Sequence, residues 1–346
     1  MKIEPRKILI IRLRAIGDVL LCTPIVRALR KKFPQAQIDF LTEKQPAEIL
    51  KNNSYLSKIY VLPKHESVLS YCFVLKNIIE NHYNWVLDFF GNPRSAWITW
   101  LTFSKLRMGY AHRFRKWAYT HPIPLNRIRR YQVEVNLKFL EFLKIPFDNF
   151  QLDFFLTSEE YSWGKKTIDQ LNFGKFKIAL NPTGSWPAKC WPLEYWEKLI
   201  FEINSHFKTR PILLWGPDTN WAIEFQKKME DRLIIAPRTD LRQLASLIAQ
   251  VQLLVGNDGA PQHIAQALGT RSLTIFGPTW GVSWTKPVDS RHQYLQEFLD
   301  CGPCDQTQCH FPTSVEQGEH SYQECLTRIT PRRVLMAMEK MLNNSV

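Results

Sequence analysis

Short apolar runs alternate with helical patterns along residues 7–90 of the chain. The apolar runs that begin at Lys7, Gln37, Lys58 and Trp85 predict β-strands. Segments 18–32 and 67–81 carry apolar residues at helical spacing. This alternation is typical of βαβ units, in which parallel strands pair and helices cover both faces of the sheet.

A second series of strand patterns follows the polar, helix-prone segment 157–175. These strand patterns begin at Lys177, Pro211, Arg232, Gln252 and Ser272. Thr330 and Pro331 then supply an N-cap and a first-turn proline for a last helix. We therefore predict an N-terminal domain over 1–157, a C-terminal domain over 158–330 and a C-terminal helix over 331–346. Two doubly wound domains in tandem predict a ligand cleft between them, at the carboxyl ends of their strands.

The charge of the chain is uneven. The net charge is +13, and residues 1–157 hold 25 Lys and Arg against 12 Asp and Glu, whereas residues 158–346 hold 20 of each class. The N-terminal half is thus expected to face an anionic partner, which is a nucleic acid, a membrane surface or an acidic substrate. An ordinary basic surface is the alternative. Arg12 and Arg14 interrupt the first apolar run before a signal peptide or membrane span can form, so we expect a cytoplasmic protein.

Asp18 lies at the predicted turn from the first strand into the first helix. Gly17 stands alone before it, so the GxGxxG fingerprint of dinucleotide-binding proteins is missing. Asp18 either caps the helix with its carboxylate or acts as a catalytic base at the carboxyl end of the strand.

Two turns in the second half have features of an anion-binding site. Lys189 follows the small-residue turn 181–185 and stands between prolines and tryptophans, which suits a phosphate contact; an ordinary exposed lysine is the alternative. Gly259 and Ala260 open a helix whose free N–H groups suit a diphosphate. Asp258 precedes them and suits sugar or ribose hydroxyls, and His263 is either a ligand contact or a histidine satisfied within the helix.

The acidic platform that usually holds a Mg²⁺-bound diphosphate is absent, since the sequence has no Asp-x-Asp. A diphosphate leaving group would then depend on Lys189 and on the helix that begins at Gly259. We therefore expect catalysis without a cofactor.

Four of the seven cysteines crowd the C-terminal end of the chain. Cys301, Cys304, Cys309 and Cys325 are separated by two, four and fifteen residues, with His310 and His320 nearby. The short first spacing is that of a metal knuckle, and four thiolates would favour zinc or iron in a structural site. Reduced thiols and a disulfide are the alternatives.

Together these segments resemble glycosyltransferase family 9, the bacterial lipopolysaccharide heptosyltransferases. The motifs that carry the resemblance are Gly17-Asp18 with Thr23-Pro24, Pro187-x-Lys189-x-Trp191-Pro192, Asn257-Asp258 with His263, Leu268-Gly269-Thr270 leading to Phe276-Gly277-Pro278-Thr279, and Asp88-x-x-Gly91 with Arg94-Ser95.

The resemblance implies an α/β GT-B fold, in which two Rossmann-like domains face a cleft and a C-terminal helix packs back. It implies ADP-heptose as the typical donor and metal-independent inversion at the anomeric carbon. Asp18 falls on the catalytic base of the family and Lys189 on its phosphate-binding lysine. The remaining matched donor positions are Thr183, Gly184, Asp258, Gly259, Ala260 and His263.

The chain departs from the family pattern at two places. Gly259-Ala260 replaces the usual Ser or Thr followed by Gly, which removes a hydroxyl from the donor site. Tyr131 to Glu134 replaces a His-x-x-Glu, so an acceptor contact differs.

The acceptor implied by the resemblance is an anionic, Kdo-bearing glycolipid at the inner leaflet of the cytoplasmic membrane. Arg14, Arg94 and Arg113 are candidate acceptor contacts. A basic and aromatic segment is expected to hold the enzyme at the membrane surface. Its members are Arg113, Phe114, Arg115, Lys116, Trp117, Tyr119, Arg127, Arg129 and Arg130.

Three other functions remain open on the sequence alone. A family 9 transferase can use another sugar or a protein acceptor. A non-hydrolysing sugar-nucleotide epimerase of the same fold would turn over the donor without an acceptor. A basic nucleic-acid-binding protein with a zinc knuckle leaves Asp18, Lys189 and Asp258 unexplained, so we do not expect a nucleic acid as partner.

Overall fold

The computed structural model describes residues 4–63, 67–110, 115–124, 129–216, 220–287, 289–311 and 321–343. The chain divides into two compact units, residues 1–155 and 156–346. We call them the N-terminal unit and the C-terminal unit.

The described part of the N-terminal unit contains one parallel sheet of six strands. Their order across the sheet is β3-β2-β1-β4-β5-β6, so strands are added to one side of β1 up to β3 and to its other side from β4 onward, and the strand order reverses between β1 and β4. Such a reversal is where doubly wound sheets bind ligands. The strands are β1 Lys7–Ile11, β2 Gln37–Glu43, β3 Lys58–Leu62, β4 Trp85–Asp88, β5 Leu106–Tyr110 and β6 His121–Ile123.

Helices cover this sheet, and a buried apolar cluster that includes Leu9, Ile11, Leu41 and Val86 lies beneath them. The near-continuous apolar runs of β1 and β4 reflect burial of both faces of a parallel sheet. The helices are α1 Ile16–Leu20, α2 Thr23–Lys32, α3 Lys44–Leu50, α4 Val68–Glu80, α5 Pro93–Leu101 and α6 Gln132–Leu143.

The single helix expected over 18–32 is in fact two. The first helix ends at Leu20, and α2 begins at Thr23 with Pro24 in its first turn. A proline lacks the N–H that an uninterrupted helix would need at that position, whereas the first turn of a new helix does not use it.

The C-terminal unit repeats the same sheet order with different strands. Across the sheet the order is β12-β11-β10-β7-β8-β9, which places the reversal between β7 and β10. The prediction of two doubly wound units is therefore confirmed. The strands are β7 Ile178–Asn181, β8 Ile212–Leu213, β9 Ile234–Ile235, β10 Leu253–Asn257, β11 Arg271–Phe276 and β12 His292–Gln296.

The helices of the C-terminal unit include the expected last helix, which packs against the helix Leu193–Phe207. Within the polar segment 157–175, Ser158–Asp169 form a helix that packs against the helix Leu241–Ile248, and Glu160 forms an ion pair with Arg242 there. The helices are α7 Ser158–Asp169, α8 Leu193–Phe207, α9 Asn220–Met229, α10 Leu241–Ile248, α11 Ala260–Leu268, α12 Gly281–Trp284, α13 Glu324–Thr327 and α14 Pro331–Asn343.

Among the described residues, every helix is too short or too polar to cross a lipid bilayer.

Candidate active site

The turn after β1 holds Asp18 in the first helix of the N-terminal unit. Ala15 is the N-cap of α1 and Asp18 is its third residue, so Asp18 is not the N-cap itself, although its carboxylate does cap the helix from the third position. The carboxylate reaches back, and its Oδ2 accepts a hydrogen bond of 3.1 Å from the Ala15 N–H. Asp18 stays partly accessible, with 18% of its side chain exposed.

Arg12 holds the same carboxylate oxygen. Its Nη2 lies 2.8 Å from Asp18 Oδ2, its Nη1 donates to the Phe89 carbonyl at 2.6 Å, and its guanidinium carbon lies 5.0 Å from the centre of the Phe90 ring. Asp18 Oδ1 is buried and has no hydrogen-bond partner among the described residues. The carboxylate is thus oriented through one oxygen while the other keeps its capacity to accept a hydrogen bond.

Asp88, at the carboxyl end of β4, is fully buried and organises the neighbouring turn. Its Oδ1 accepts from the Phe90 and Gly91 N–H groups at 2.9 and 3.0 Å, and its Oδ2 accepts from the Ser95 and Tyr119 hydroxyls at 2.8 Å each. Burial raises the pKa of Asp88, and these hydrogen bonds counteract part of that rise. Asp88 therefore fixes the loop that carries Phe89 and Phe90 against Arg12.

The three arginines proposed as acceptor contacts differ in their surroundings. Arg94 forms an ion pair with Glu43, which ends β2. Arg14 is exposed, and its guanidinium carbon lies 6.0 Å from the Phe90 ring centre. Arg113 lies outside the described residues. Arg14 therefore leaves its charge accessible to a ligand, whereas Arg94 already has a carboxylate partner.

In the C-terminal unit, Lys189 meets Asp258. The Lys189 ammonium lies 2.6 Å from Asp258 Oδ2 and 4.3 Å from the centre of the Trp186 ring. Only 12% of the Lys189 side chain and 5% of the Asp258 side chain are exposed, so the interpretation of Lys189 as an ordinary exposed lysine is wrong. The Thr279 hydroxyl donates to the same Asp258 oxygen at 2.6 Å.

Asn257, the last residue of β10, joins the two turns that carry this pair. Its Oδ1 accepts from the Trp191 N–H at 3.2 Å, and its Nδ2 donates to the Pro182 carbonyl at 2.6 Å. The Trp191 ring is buried, and its N–H donates to the Leu326 and Ile329 carbonyls. The segment that carries Lys189 is therefore anchored at both ends by Asn257, the residue that precedes Asp258.

Thr183 and Gly184 form the loop beside Lys189. The Thr183 hydroxyl donates to Asn181 Oδ1 at 2.9 Å. A Cβ added at Gly184 would lie 3.0 Å from Cys190 Sγ and 3.3 Å from Lys189 Cβ, so a larger residue there would press on the lysine. The small residue therefore lets this turn lie close to the lysine.

Helix α11 begins where the sequence predicted, with Gly259 as its N-cap and Pro261 in its first turn. A Cβ at Gly259 would meet its nearest neighbour only at 3.7 Å, so space is left beside the helix N-terminus. Ala260 is the first helical residue, and His263 lies one turn further, buried, with its Nε2 3.4 Å from Gln262 Nε2. Free N–H groups and the positive end of the helix dipole thus lie beside Asp258 and Lys189.

Cys301, Cys304, Cys309 and Cys325 all line one small cavity with Glu324, but their thiols are free. Among the described residues, no group of three or more His, Cys, Asp or Glu side chains is placed to hold a metal ion. Cys309 Sγ accepts a hydrogen bond from the Gln323 N–H, and burial raises the pKa of Cys325 to about 12. The predicted structural zinc or iron is therefore not supported, and His320 lies outside the described residues.

Sequence reasoning missed Arg12 and Glu43. Arg12 was visible as a cation directly after a buried strand, the position where ligand-binding residues of parallel sheets lie. Nothing in the sequence indicates that Glu43 pairs with Arg94, because Glu43 ends β2 and Arg94 lies in the first turn of α5, 51 residues further along the chain.

Two doubly wound units, each with polar side chains where its strand order reverses, define an α/β protein whose sheets carry polar groups at the position where such sheets bind ligands. The family model for glycosyltransferase family 9 (heptosyltransferase) matches residues 73–314. The chain therefore belongs to glycosyltransferase family 9, and it is a glycosyltransferase.

Known proteins are similar to this chain over most of its length. Lipopolysaccharide heptosyltransferase 3 of Escherichia coli (strain K12) is 29% identical, over 78% of this chain and 81% of its own length. A family 9 glycosyl transferase from Veillonella parvula has a TM-score of 0.82 at 20% identity, over 100% of this chain and 99% of its own. The E. coli heptosyltransferase WaaC, solved with ADP-2-deoxy-2-fluoro heptose, has a TM-score of 0.69 at 18% identity, over 96% and 99%. The GT-B fold expected from the sequence is thereby confirmed.

Proposed function

We propose that this glycosyltransferase moves a heptose from ADP-heptose to a sugar of the lipopolysaccharide core, with inversion at the anomeric carbon and without a catalytic metal. The observation that carries the proposal is the similarity to lipopolysaccharide heptosyltransferase 3 of E. coli over 78% of the chain. The geometry of both units supports the chemistry.

The donor part of the proposal rests on the C-terminal unit. The Lys189 ammonium, the N-terminus of α11 and the space beside Gly259 suit a diphosphate. WaaC, which shares the fold, was solved with an ADP-heptose analogue. We assign Thr183, Gly184, Asp258, Ala260 and His263 to the rest of the donor site. These protein charges and dipoles would stabilise the leaving diphosphate in place of a metal ion.

The catalytic part rests on Asp18. The acceptor hydroxyl oxygen attacks the anomeric carbon as the bond from that carbon to the diphosphate oxygen breaks, and the hydroxyl proton passes to the Asp18 carboxylate. The electron pair of the broken bond leaves with ADP, whose charge Lys189 balances. Attack opposite the leaving group inverts the anomeric centre. Arg12 orients the carboxylate for this transfer.

The acceptor part rests on charge. The N-terminal unit carries the basic excess of the chain, and a Kdo- and heptose-bearing lipid A is anionic. Arg14, Arg94 and Arg113 are assigned to its carboxylates or phosphates. Because such an acceptor is membrane-bound, the enzyme works at the inner face of the cytoplasmic membrane as a peripheral protein.

The test is transfer of labelled heptose from ADP-heptose to lipooligosaccharides truncated at successive sugars. We expect label to enter the form that ends at the natural acceptor sugar, with inverted anomeric configuration and no loss in the presence of a chelator. Asp18→Asn should abolish transfer and leave ADP binding intact. Glu80→Gln changes an exposed carboxylate of the same unit, with only a 3.7 Å pairing to Lys76, and should transfer normally.

Absence of transfer to every truncated acceptor would refute the donor–acceptor assignment. Donor turnover without an acceptor would instead indicate an epimerase, and full activity of Asp18→Asn would place the base elsewhere.

A further inference from the structure

An exposed cluster of aromatic rings lies on the N-terminal unit and is not used by the site described above. It consists of Trp97 and Trp100 on α5, Phe103 just after that helix, and Trp117 in the short 3-10 helix Lys116–Ala118. Their ring centres are 4.7 Å apart for Trp97 and Trp117, 5.6 Å for Trp97 and Trp100, and 5.7 Å for Trp100 and Phe103. We call these four residues the tryptophan cluster.

The outer rings of the tryptophan cluster are not core residues. Trp97 is 53% exposed, Trp117 46% and Phe103 69%. Helix α5 buries Ala96, which lies in a buried cluster with Ala118 and Tyr119, and Trp100 packs against that cluster. Contiguous large apolar side chains that remain in water mark a surface that a partner covers.

The sequence around the tryptophan cluster carries positive charges and no negative ones. Residues 89–130 contain nine Lys and Arg and no Asp or Glu. Among the described residues of this segment, Lys105, Lys116, Arg129 and Arg130 are exposed. Lys116 is adjacent to Trp117, and Lys105 follows Phe103 by two positions. Lys105 and Lys116 thus place exposed positive charge next to the aromatic surface.

We propose that the tryptophan cluster is the surface by which this enzyme docks on an anionic lipid bilayer. Tryptophan rings favour the headgroup region of a bilayer, where an apolar ring with a polar N–H is best solvated. Lysines beside them gain from the negative potential of anionic lipids. The inference rests on the proposed function, since a lipid-linked acceptor brings the enzyme to a bilayer.

Two other occupants fit less well. A second copy of the chain would bring two acid-free basic segments together, and like charges repel across such an interface. Single-stranded nucleic acid stacks its bases on open ring faces. The indoles here instead pack edge to face, at 89° for Trp97 and Trp100 and 62° for Trp97 and Trp117. Each ring therefore covers part of its neighbour's face.

The test is sedimentation of the full chain with vesicles of phosphatidylcholine, with and without phosphatidylglycerol. Wild-type protein should bind the anionic vesicles and be released by salt. The double variant Trp97→Ser/Trp117→Ser should bind at least about tenfold more weakly. Phe201→Ser is the matched control, because Phe201 is an aromatic residue that is 46% exposed on α8 of the C-terminal unit. It should bind as the wild type does.

A second double variant keeps the test valid if the tryptophan variant fails to fold. Lys105→Gln/Lys116→Gln changes only exposed side chains, and it should weaken binding to anionic vesicles severalfold. Unchanged vesicle binding by both double variants would overturn the proposal, as would failure of the wild type to bind. Binding to single-stranded nucleic acid that the tryptophan variant loses, without any vesicle binding, would assign the surface to that partner instead.

A water-soluble core oligosaccharide without lipid A separates the two proposals. Trp97→Ser/Trp117→Ser should transfer heptose to it at the wild-type rate, and should lose activity only on vesicle-bound acceptor. If the wild type transfers heptose and ignores vesicles, docking is wrong and the function stands. If it binds vesicles through the tryptophan cluster and transfers no heptose, the function is wrong and docking stands.

Discussion

Arg12 Nη2 lies 2.8 Å from Asp18 Oδ2, so a residue just beyond the end of β1 orients the carboxylate proposed as the catalytic base. Two hydrogen bonds converge on Oδ2, one from Arg12 and one from the Ala15 N–H, and none reaches Oδ1 among the described residues. A base must be held within a fraction of an ångström of its productive position to act efficiently. Arg12 is therefore a positioning residue in the proposed mechanism.

Arg12→Met should lower kcat for heptose transfer by about 100-fold, because the Asp18 carboxylate loses its orientation. The KM for the donor should change little, since the donor is assigned to the other unit. Arg12→Lys keeps the charge and should recover part of the rate, although not the second hydrogen bond to the Phe89 carbonyl. Steady-state kinetics with ADP-heptose measures both quantities.

Arg30→Met is the matched control for this change. Arg30 also belongs to the N-terminal unit and donates to backbone carbonyls, those of Tyr55, Pro34 and Ala36, and none of these bonds, among the described residues, goes to a proposed site residue. It should lose some stability and keep its kcat. An equal fall of kcat in both variants would show that Arg12 acts only through the stability of the fold.

Lys189→Met should weaken ADP binding by about 10- to 100-fold, because charge-assisted hydrogen bonds to the diphosphate are lost. Asp258 then stays buried near the phosphates without its 2.6 Å partner and repels them. Lys189→Met/Asp258→Asn should therefore bind ADP more tightly than the single variant. Titration calorimetry with ADP and with adenosine measures the effect, and adenosine should show none.

Lys286→Met controls for the loss of a half-buried, paired lysine in the same unit. Lys286 lies 3.0 Å from Asp289, with 17% of its side chain exposed. It should bind ADP as the wild type does. Equal losses for ADP and adenosine in Lys189→Met would contradict a phosphate contact and indicate a general disturbance of the site.

His292, the first residue of β12, makes the stability of the C-terminal unit depend on pH. Burial lowers the pKa of His292 to about 4, and Asp289, 4.0 Å from its Nε2, counteracts only part of that effect. The unfolded chain binds this proton below a pKa of about 6.5. The contribution of His292 to stability is therefore complete above about pH 6.5 and is lost as the pH falls toward 4.

As the pH falls from about 6.5 to about 4, protonation of His292 should lower the free energy of unfolding by about 3 kcal/mol. His292→Gln removes the titrating ring, so the gap between the melting temperatures of wild type and variant should narrow as the pH is lowered. A pH-independent gap for His292→Gln would contradict the neutral, buried state of His292.

Apolar periodicity predicted most strands of both sheets, because strands of a parallel sheet are buried on both faces and read as continuous apolar runs. It did not predict β5 and β6, where Arg107 and Pro122 interrupt the run. It also joined α1 and α2, because the apolar spacing continues across Leu21 and Cys22 although the hydrogen-bonding pattern of the first helix ends there.

The sequence also predicted the turns that carry Asp18, Lys189 and Asp258, because residues after the strands of a doubly wound sheet gather at its carboxyl edge. The neighbours of those residues were not predictable from spacing. Asp258 meets Lys189 because Asn257 joins both turns through the oxygen and the nitrogen of its side-chain amide. In the same way the cysteines came together around one cavity, while their metal-like spacing did not produce a ligand set within the part of the chain that the structure describes.

By itself the sequence determined most of the strands, the last helix, and which turns bear charged residues. These properties follow from local periodicity, glycine and proline positions, and the order of elements along the chain. Only the tertiary structure decided that Arg12 orients Asp18, that Lys189 is paired rather than exposed, and that four aromatic rings form one surface. Contacts between residues far apart in sequence depend on how the helices and strands pack. The local sequence pattern does not encode the distances between side chains that this packing produces.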